Sequence, residues 1–518
     1  MSEIVDIFVP LEALDDSLTT VVARALGRAE GRIAEFRVLR RSLDARKERR
    51  LGYRMRVEVA RAGESLAPPA PRPARPSWPV AVPVPRVVIV GSGPAGAWAA
   101  LRLAEAGVAS TIVERGKPVR VRRADLASLH RGQLNPESNY CFGEGGAGTY
   151  SDGKLYTRSK DRVGVAGVLA DLVALGAPAD ITIDARPHIG SNLLPRLLEA
   201  LRSRLQGLGV HYQFDCLCTG LRAEQGRIRA VQTSAGEIPA DLVVLAPGHS
   251  ARDVYTWAAA ANLALQRKDI AVGVRIEHPQ AVIDRLQYGR AAGHPRLPPA
   301  FYEVRAGSSG RGVYSFCMCP GGWIVPAATE LGGLVVNGMS LAKRNSPFAN
   351  AALVVTVAGL DFGPDASGAL AGIDFQRRIE AAAFARGGGS FHAPAERAVD
   401  FLARRPSDRL PESSYRPGVE HARLDDVFPG FITEALREGL SAIGRQLPGF
   451  IHEHALLVAA ETRTSAPVRI LRDPTTLESP ALAGLYPAGE GAGYAGGIVS
   501  SALDGARVAD AIIRRGTG

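Results

Sequence analysis

Apolar and polar positions change their rhythm several times along the chain. Ile4 to Val9 is a short apolar run that reads as a strand, and Leu18, Val21, Val22, Ala25 and Leu26 recur at helical spacing. Ile33 to Leu43 and Tyr53 to Val59 alternate, with Arg54, Arg56 and Glu58 set between apolar neighbours, as half-buried strands do. This pattern predicts a small α+β, βαββ-like domain over residues 1–63. Residues 64–85 are proline-rich, cannot form a helix, and predict an extended linker. Beyond them the rhythm becomes that of buried strands and helices. Arg86 to Val90 is an apolar strand, a helix runs through Ala100, Leu103 and Ala104, and Ser110 to Val113 is a second strand. Ala240 to Leu245 and Leu485 to Pro487 are further apolar strands, and Val499 to Arg514 is a closing helix. Strands alternating with helices predict the α/β class with a Rossmann-like domain. We expect that domain to comprise residues 86–160, 180–254 and 455–518, with a mixed α+β substrate or cap domain inserted over 255–454.

Composition narrows the classes. With 518 residues, 46% apolar and 22% charged, the chain has material for a large core and is neither collagen-like, coiled-coil nor wholly disordered. Five cysteines are too few for a disulfide scaffold. They also lack the C-x₂-C spacing and histidine partners of a zinc site, so no metal is expected. No apolar run is long enough for a transmembrane helix, and the first residues carry acids where a signal peptide needs bases. A cytoplasmic protein with reduced thiols is the expectation. The net charge of +10 raises the question of nucleic acid, and Arg40, Arg41, Arg46, Lys47, Arg49 and Arg50 form a basic stretch. Only six of the 62 basic residues are lysine, a skew that points to composition drift rather than a site. No aromatic platform accompanies the stretch, which argues against RNA.

The strand at Val87 to Val90 runs into Gly91-Ser92-Gly93-Pro94-Ala95-Gly96, then a helix, a second strand and Glu114-Arg115. Each part of this dinucleotide fingerprint has a physical task. Gly91 permits the tight turn, Gly93 lets backbone approach a pyrophosphate, and Gly96 allows helix and strand to pack closely. The phosphates meet a helix N-terminus, where free N–H groups and the dipole favour negative charge. Glu114, 18 residues past Gly96, is placed to accept hydrogen bonds from ribose hydroxyls.

Several stretches together resemble the bacterial FAD-dependent dehydrogenase family, within the glutathione-reductase-like flavoprotein superfamily that carries two dinucleotide-binding domains. They are Leu39 to Lys47 (LRRSLDARK), Cys141 to Leu155 (CFGEGGAGTYSDGKL), Ala246 to Asp253 (APGHSARD), Phe316 to Gly322 (FCMCPGG), Arg344 to Asn350 (RNSPFAN), Glu461 to Arg472 (ETRTSAPVRILR) and Gly489 to Ile498 (GEGAGYAGGI). The resemblance implies an FAD-dependent oxidoreductase in which Gly91 to Gly96 holds the ADP half of FAD. It implies that Ala246 and Gly248 return beside that motif, and that Gly489 and Glu490 reach the ribityl or pyrophosphate part, Glu490 replacing the commoner aspartate. Gly145 and Gly146 would cover the pyrophosphate or the ring. The helix beginning near Gly497 and Ile498 would offer its N–H groups to the flavin.

Lys154 stands out as one of the few lysines retained and is a candidate point-charge donor. His249 follows the Ala246-Pro247-Gly248 turn and is a further candidate, together with Arg252 and Asp253. His188 reads as a packed turn residue and the Cys216–Cys218 pair as core. Cys317 and Cys319 would share one face of a strand, so both thiols could face one ligand in a redox role. No second fingerprint exists for NAD(P)H, although a pyridine nucleotide could bind transiently in the substrate region. Two other readings stay open: an RNA-modifying flavoprotein that docks RNA through its basic N-terminal domain, and a non-catalytic flavin-binding protein. The substrate is a small molecule of unknown identity, and the oligomeric state is not legible.

Overall fold

The computed structural model describes the whole chain except residues 1, 15, 34, 47–48, 61–62, 69–83, 309, 364–367 and 516–518. Most of the predicted proline-rich linker, and Lys47 of the basic stretch, therefore lie outside the described residues.

The N-terminal segment folds as strand, helix, strand, strand: Glu3–Pro10, Leu18–Ala25, Phe36–Asp44 and Gly52–Val59. Gly52–Val59 lies between the other two strands and pairs antiparallel with both. Ser17 caps the helix, its hydroxyl accepting from the Thr20 N–H at 3.1 Å. Val9, Val22, Val57 and Val59 form the core of this unit. Several of its arginines pair with carboxylates. Arg46 and Arg54 share Asp44, Arg56 meets Asp6, Arg50 meets Glu12, and Arg41 reaches Asp184 at 2.8 Å and Asp180 at 2.9 Å in the following domain. Arg41, Arg46 and Arg50 of the basic stretch thus have acidic partners.

A five-stranded parallel sheet follows, in the order Leu485–Pro487, Leu242–Leu245, Val87–Val90, Ser110–Val113, His211–Gln213. Val87–Val90 and Leu242–Leu245 are buried along their whole length, which is why their sequences are unbroken apolar runs. The helices Pro94–Glu105 and Ile498–Arg515 pack together on one face; a Cβ at Gly505 would lie 1.9 Å from the Ala95 carbonyl oxygen. The other face is covered by the meander Cys218–Glu224, Arg227–Thr233, Gly236–Pro239 and by the helix Arg252–Ala260. The helix Arg162–Ala174 also enters this core through Val168, Leu169 and Leu172, so the gap predicted between residues 160 and 180 closes.

The inserted region builds a seven-stranded sheet, ordered Arg305–Ser308, Arg311–Cys319, Phe348–Val357, Ile270–Pro279, Leu456–Glu461, Ala393–Arg397, Val419–His421. Ala371–Arg386 and Gly430–Gln446 pack with it into one core. Leu456–Glu461 is buried throughout and pairs only inside this sheet, so the insertion runs to residue 461, past the predicted limit at 454. A short antiparallel ladder of Leu265–Arg267 with Val468–Ile470 joins the two segments that cross between the sheets. Among the described residues, no helix is long and apolar enough to cross a membrane.

Candidate functional site

One cavity of about 1980 Å³ runs between the two sheets. At one end it is lined by Gly91, Gly93, Pro94 and Ala95, by Glu114 and Arg115, and by Ala246 and Gly248. At two of the fingerprint glycines a side chain would collide with backbone. Gly91 has φ +98°, and a Cβ there would lie 2.3 Å from the Ala246 carbonyl oxygen. A Cβ at Gly96 would lie 1.9 Å from the Gly91 carbonyl oxygen, so this helix packs as close to its strand as backbone allows. A Cβ at Gly93 would meet nothing within 4 Å and would enter the cavity. The helix starting at Pro94 has no capping side chain, so its first-turn N–H groups remain available to an anion.

The loop from Gly143 to Gly148 crosses this end. Gly145 N–H donates to the Ser92 carbonyl at 3.1 Å, and Gly146 (φ +63°) stands opposite Gly93. The buried Arg122 fastens the loop from behind, donating to the carbonyls of Asn139, Glu144 and Gly146. At its far end Gly148 abuts Ile498. Gly497, Ile498 and Glu490 line the next part of the cavity, with Glu490 accepting from the Gly497 N–H at 3.4 Å. Four predicted cofactor residues, Ser92, Gly96, Gly145 and Gly489, lie behind the lining rather than in it. Gly489 supports from there, its N–H donating to Asp504 at 2.7 Å.

Glu114 has more partners than the sequence suggests. One carboxylate oxygen accepts from Ser92 N (2.9 Å) and Ser92 Oγ (2.7 Å), the other from Gly116 N (2.9 Å) and Gly143 N (3.0 Å). A carboxylate offers about four acceptor directions, and all four are used within the protein. A ribose hydroxyl at this end would share an oxygen that already accepts twice. Arg115 is also engaged, pairing with Glu137 and Asp253 and stacking 4.1 Å from the Phe142 ring.

The opposite end carries titratable groups. Lys154 lies 3.6 Å from Cys317 Sγ and donates to the Met318 carbonyl. Burial works against its ammonium, but the Cys317 and Cys319 sulfurs and Asp152 outweigh it and raise its pKa. Cys317 does not follow plain strand alternation, as the sequence reading assumed. The ladder to Phe348–Val357 slips between Phe316 and Cys319, and Cys317 sits in this bulge at φ +48°. The Cys319 thiol donates to the Cys317 carbonyl oxygen at 3.4 Å. Cys317 is on the cavity wall, and Cys319 is buried behind it with Arg275 Nη2 at 3.8 Å. His249 lines the cavity, and burial depresses its pKa against the pull of Glu490. His188 accepts the packed role, its ring 3.2 Å from the Ala342 carbonyl.

Glu461 escaped the sequence reading. It lines the cavity at the end of the buried Leu456–Glu461 strand, and burial raises its pKa to about 7 against the attraction of Arg275, 3.3 Å away. The signals were a lone acid closing an apolar run and a lone arginine inside another, Ile270 to Ile276. Arg252 leaves the list of site candidates, because it is buried in a network with Glu330, Glu380 and Gln376. Among the described residues, no group of three or more His, Cys, Asp or Glu could hold a metal ion.

Comparison with known proteins agrees with this geometry. Residues 85–128 match an FAD-binding domain, residues 269–464 a C-terminal-domain-like model of FAD-dependent proteins, and residues 1–60 a domain of unknown function. An uncharacterised protein of Clostridium beijerinckii is 44% identical over 435 residues, covering 83% of this chain and 81% of that one. A kynurenine 3-monooxygenase of Salinispora arenicola is 32% identical over 182 residues, 32% of this chain and 36% of that enzyme. The solved glycine oxidase of Geobacillus kaustophilus aligns over 83% of this chain and 95% of its own, with 15% identity and a TM-score of 0.36. The residues at the fingerprint end suit FAD: an open position at Gly93, an uncapped helix start, and a glycine loop across them. The chain has an α/β fold with an FAD-binding domain, and it is an FAD-dependent flavoprotein.

Proposed function

Since the chain belongs to the family of FAD-dependent proteins represented by its Clostridium beijerinckii relative, we propose that it is an oxidoreductase with its reacting end at Lys154, Cys317, His249 and Glu461. The finer placement in the glutathione-reductase-like superfamily is part of this proposal. The observation that carries it is convergence. The Gly91–Gly96 turn, the Gly143–Gly148 loop and the start of the Ile498–Arg515 helix border one cavity, although they are spread over some 400 residues of sequence. Bound FAD would supply hydride or electron-pair transfer chemistry.

The protein supplies position and charge. The Pro94 helix start favours the pyrophosphate, and the Ile498 helix start adds a second positive dipole end along the same cavity. Lys154 is a fixed cation, and Glu461 can hold or release a proton near neutrality. Tyr156 and Phe316, 60% and 42% exposed, stand on the outer wall and give the substrate side apolar rings to stack on.

Gly93→Asp tests the reading. It places bulk and negative charge where the cavity is open, so the purified variant should carry less than about a tenth of the wild-type flavin. Flavin absorbance in the purified protein reads this out, and a variant as yellow as wild type refutes the site.

A further inference from the structure

The cavity is large for a single ligand. Its volume of about 1980 Å³ is about twice the upper end of what one drug-sized molecule fills, so a second molecule has room beside a bound dinucleotide. Part of that room lies against the outer end of the seven-stranded sheet, where the edge strand Arg305–Ser308 and its neighbour Arg311–Cys319 both contribute to the lining. Directly opposed residues of an antiparallel pair share a face, so the register of Arg305 with Tyr314 and of Gly307 with Gly312 sets the arginine beside the tyrosine and two glycines next to them. Alternation along the strand adds Phe316 to the same face. A Cβ at Gly307 would meet nothing within 4 Å, and one at Gly312 would lie 3.8 Å from the Tyr314 ring. The wall here is therefore low and flat, with two rings and no bulk between them.

Charge on this side of the cavity is lopsided. Arg186, Arg344, Arg463 and Arg507 line it but are paired with Glu303, Asp152, Glu380 and Asp161. Lys154, Arg158 and Arg305 line it too, and among the described residues no carboxylate forms an ion pair with any of them. Glu303, the acid nearest in sequence to Arg305, is taken by Arg186 at 2.9 Å. Arg158 and Arg305 are both exposed, so they stand where an incoming molecule first meets the wall. A cationic or wholly apolar reactant has no use for three cations without counter-charges; an anion does.

We propose that the substrate is a flat organic carboxylate: its ring rests on Tyr314 and Phe316, Arg305 and Arg158 hold its carboxylate at the outer end, and its other end points along the strand toward Lys154. Arginine suits the outer position because its planar fork matches a carboxylate. The strand also acts as a ruler. Three residues separate Tyr314 from Cys317, whose sulfur is 3.6 Å from the Lys154 ammonium. At about 3.3 Å per residue this sets the charged end of the substrate roughly 10 Å from Lys154. The inference deepens the oxidoreductase reading and rests on it for what happens at the inner end, whereas the carboxylate site itself is a property of the wall.

The test uses the full-length protein as purified, with flavin absorbance recorded on the same sample. The probes are 2-naphthoate and its neutral counterpart 2-naphthamide, titrated by calorimetry at low salt. Naphthoate should bind at least about fivefold tighter than naphthamide, and the advantage should shrink as salt rises to about 0.5 M. Replacing both arginines, Arg158→Gln with Arg305→Gln, should abolish the preference while leaving naphthamide affinity within about twofold of wild type. Tyr314→Ala should weaken both probes by about threefold or more. Equal affinity of the wild type for the two probes, or a preference that survives the loss of both arginines, overturns the proposal. The wild-type comparison and its salt dependence decide even if a variant fails to fold. A yellow protein that does not distinguish the probes overturns the carboxylate site alone; a colourless one that prefers naphthoate, and loses the preference with the arginines, counts against the cofactor reading and for the site.

Discussion

At the scale of single residues, burial decides which acids and bases can act. Glu461 is the clearest case. Its carboxyl is raised from an ordinary 4.5 to about 7, so the folded protein binds a proton that the unfolded chain has released over that interval. The group therefore contributes full stability below about pH 4.5, and that contribution is lost as pH rises through about 7. Comparing wild type with Glu461→Gln isolates this effect. Between about pH 5 and pH 8 the wild type should lose about 3 kcal/mol more stability than the variant, measured by denaturant unfolding. Parallel curves would show that Glu461 is ionised throughout. Residues like this were the least legible in the sequence. Gly93 and Gly96 could be read because spacing alone fixes their tasks. Glu461 and Arg275 meet only through the register of two antiparallel strands about 185 positions apart, which no local pattern encodes.

At the scale of elements, the strands of the dinucleotide sheet were readable because burial on both faces leaves an unbroken apolar signature. Bounds failed where an element's partners are distant. Leu456–Glu461 carries the same signature as the parallel strands yet joins the other sheet, a choice made by its neighbours rather than its composition. The Arg252–Ala260 helix illustrates what holds elements to one another. Arg252 and Arg463 both bind Glu380 on the Ala371–Arg386 helix, and their attraction overcomes burial to hold that carboxyl at about 2. Replacing Arg252 with alanine removes one cation from a fully buried carboxylate. It should cost about 3–5 kcal/mol in thermal or denaturant unfolding. A loss below about 1 kcal/mol would mean that Arg463 suffices alone.

At the scale of the whole molecule, the N-terminal unit docks on the dinucleotide domain through Arg41, whose guanidinium is shared by Asp180 and Asp184. Its backbone also joins, Arg41 N–H donating to the Ile183 carbonyl at 2.8 Å. Arg41→Glu sets three carboxylates against one another there. Hydrogen exchange over residues 36–44 and 179–184 should quicken about tenfold or more, in proportion to a loss of roughly 1.4 kcal/mol; unchanged exchange would show that the backbone bridge carries the docking. The two sheets are joined differently. The segments that cross between them lie side by side in the Leu265–Arg267 and Val468–Ile470 ladder, while Arg344 and Ser340 grip Asp152 across the cavity. The two sheets are thus tied at separate places, by the ladder, by the Glu380 network and by the Asp152 contact two residues from Lys154, so the cavity wall beside that lysine is built jointly by both units.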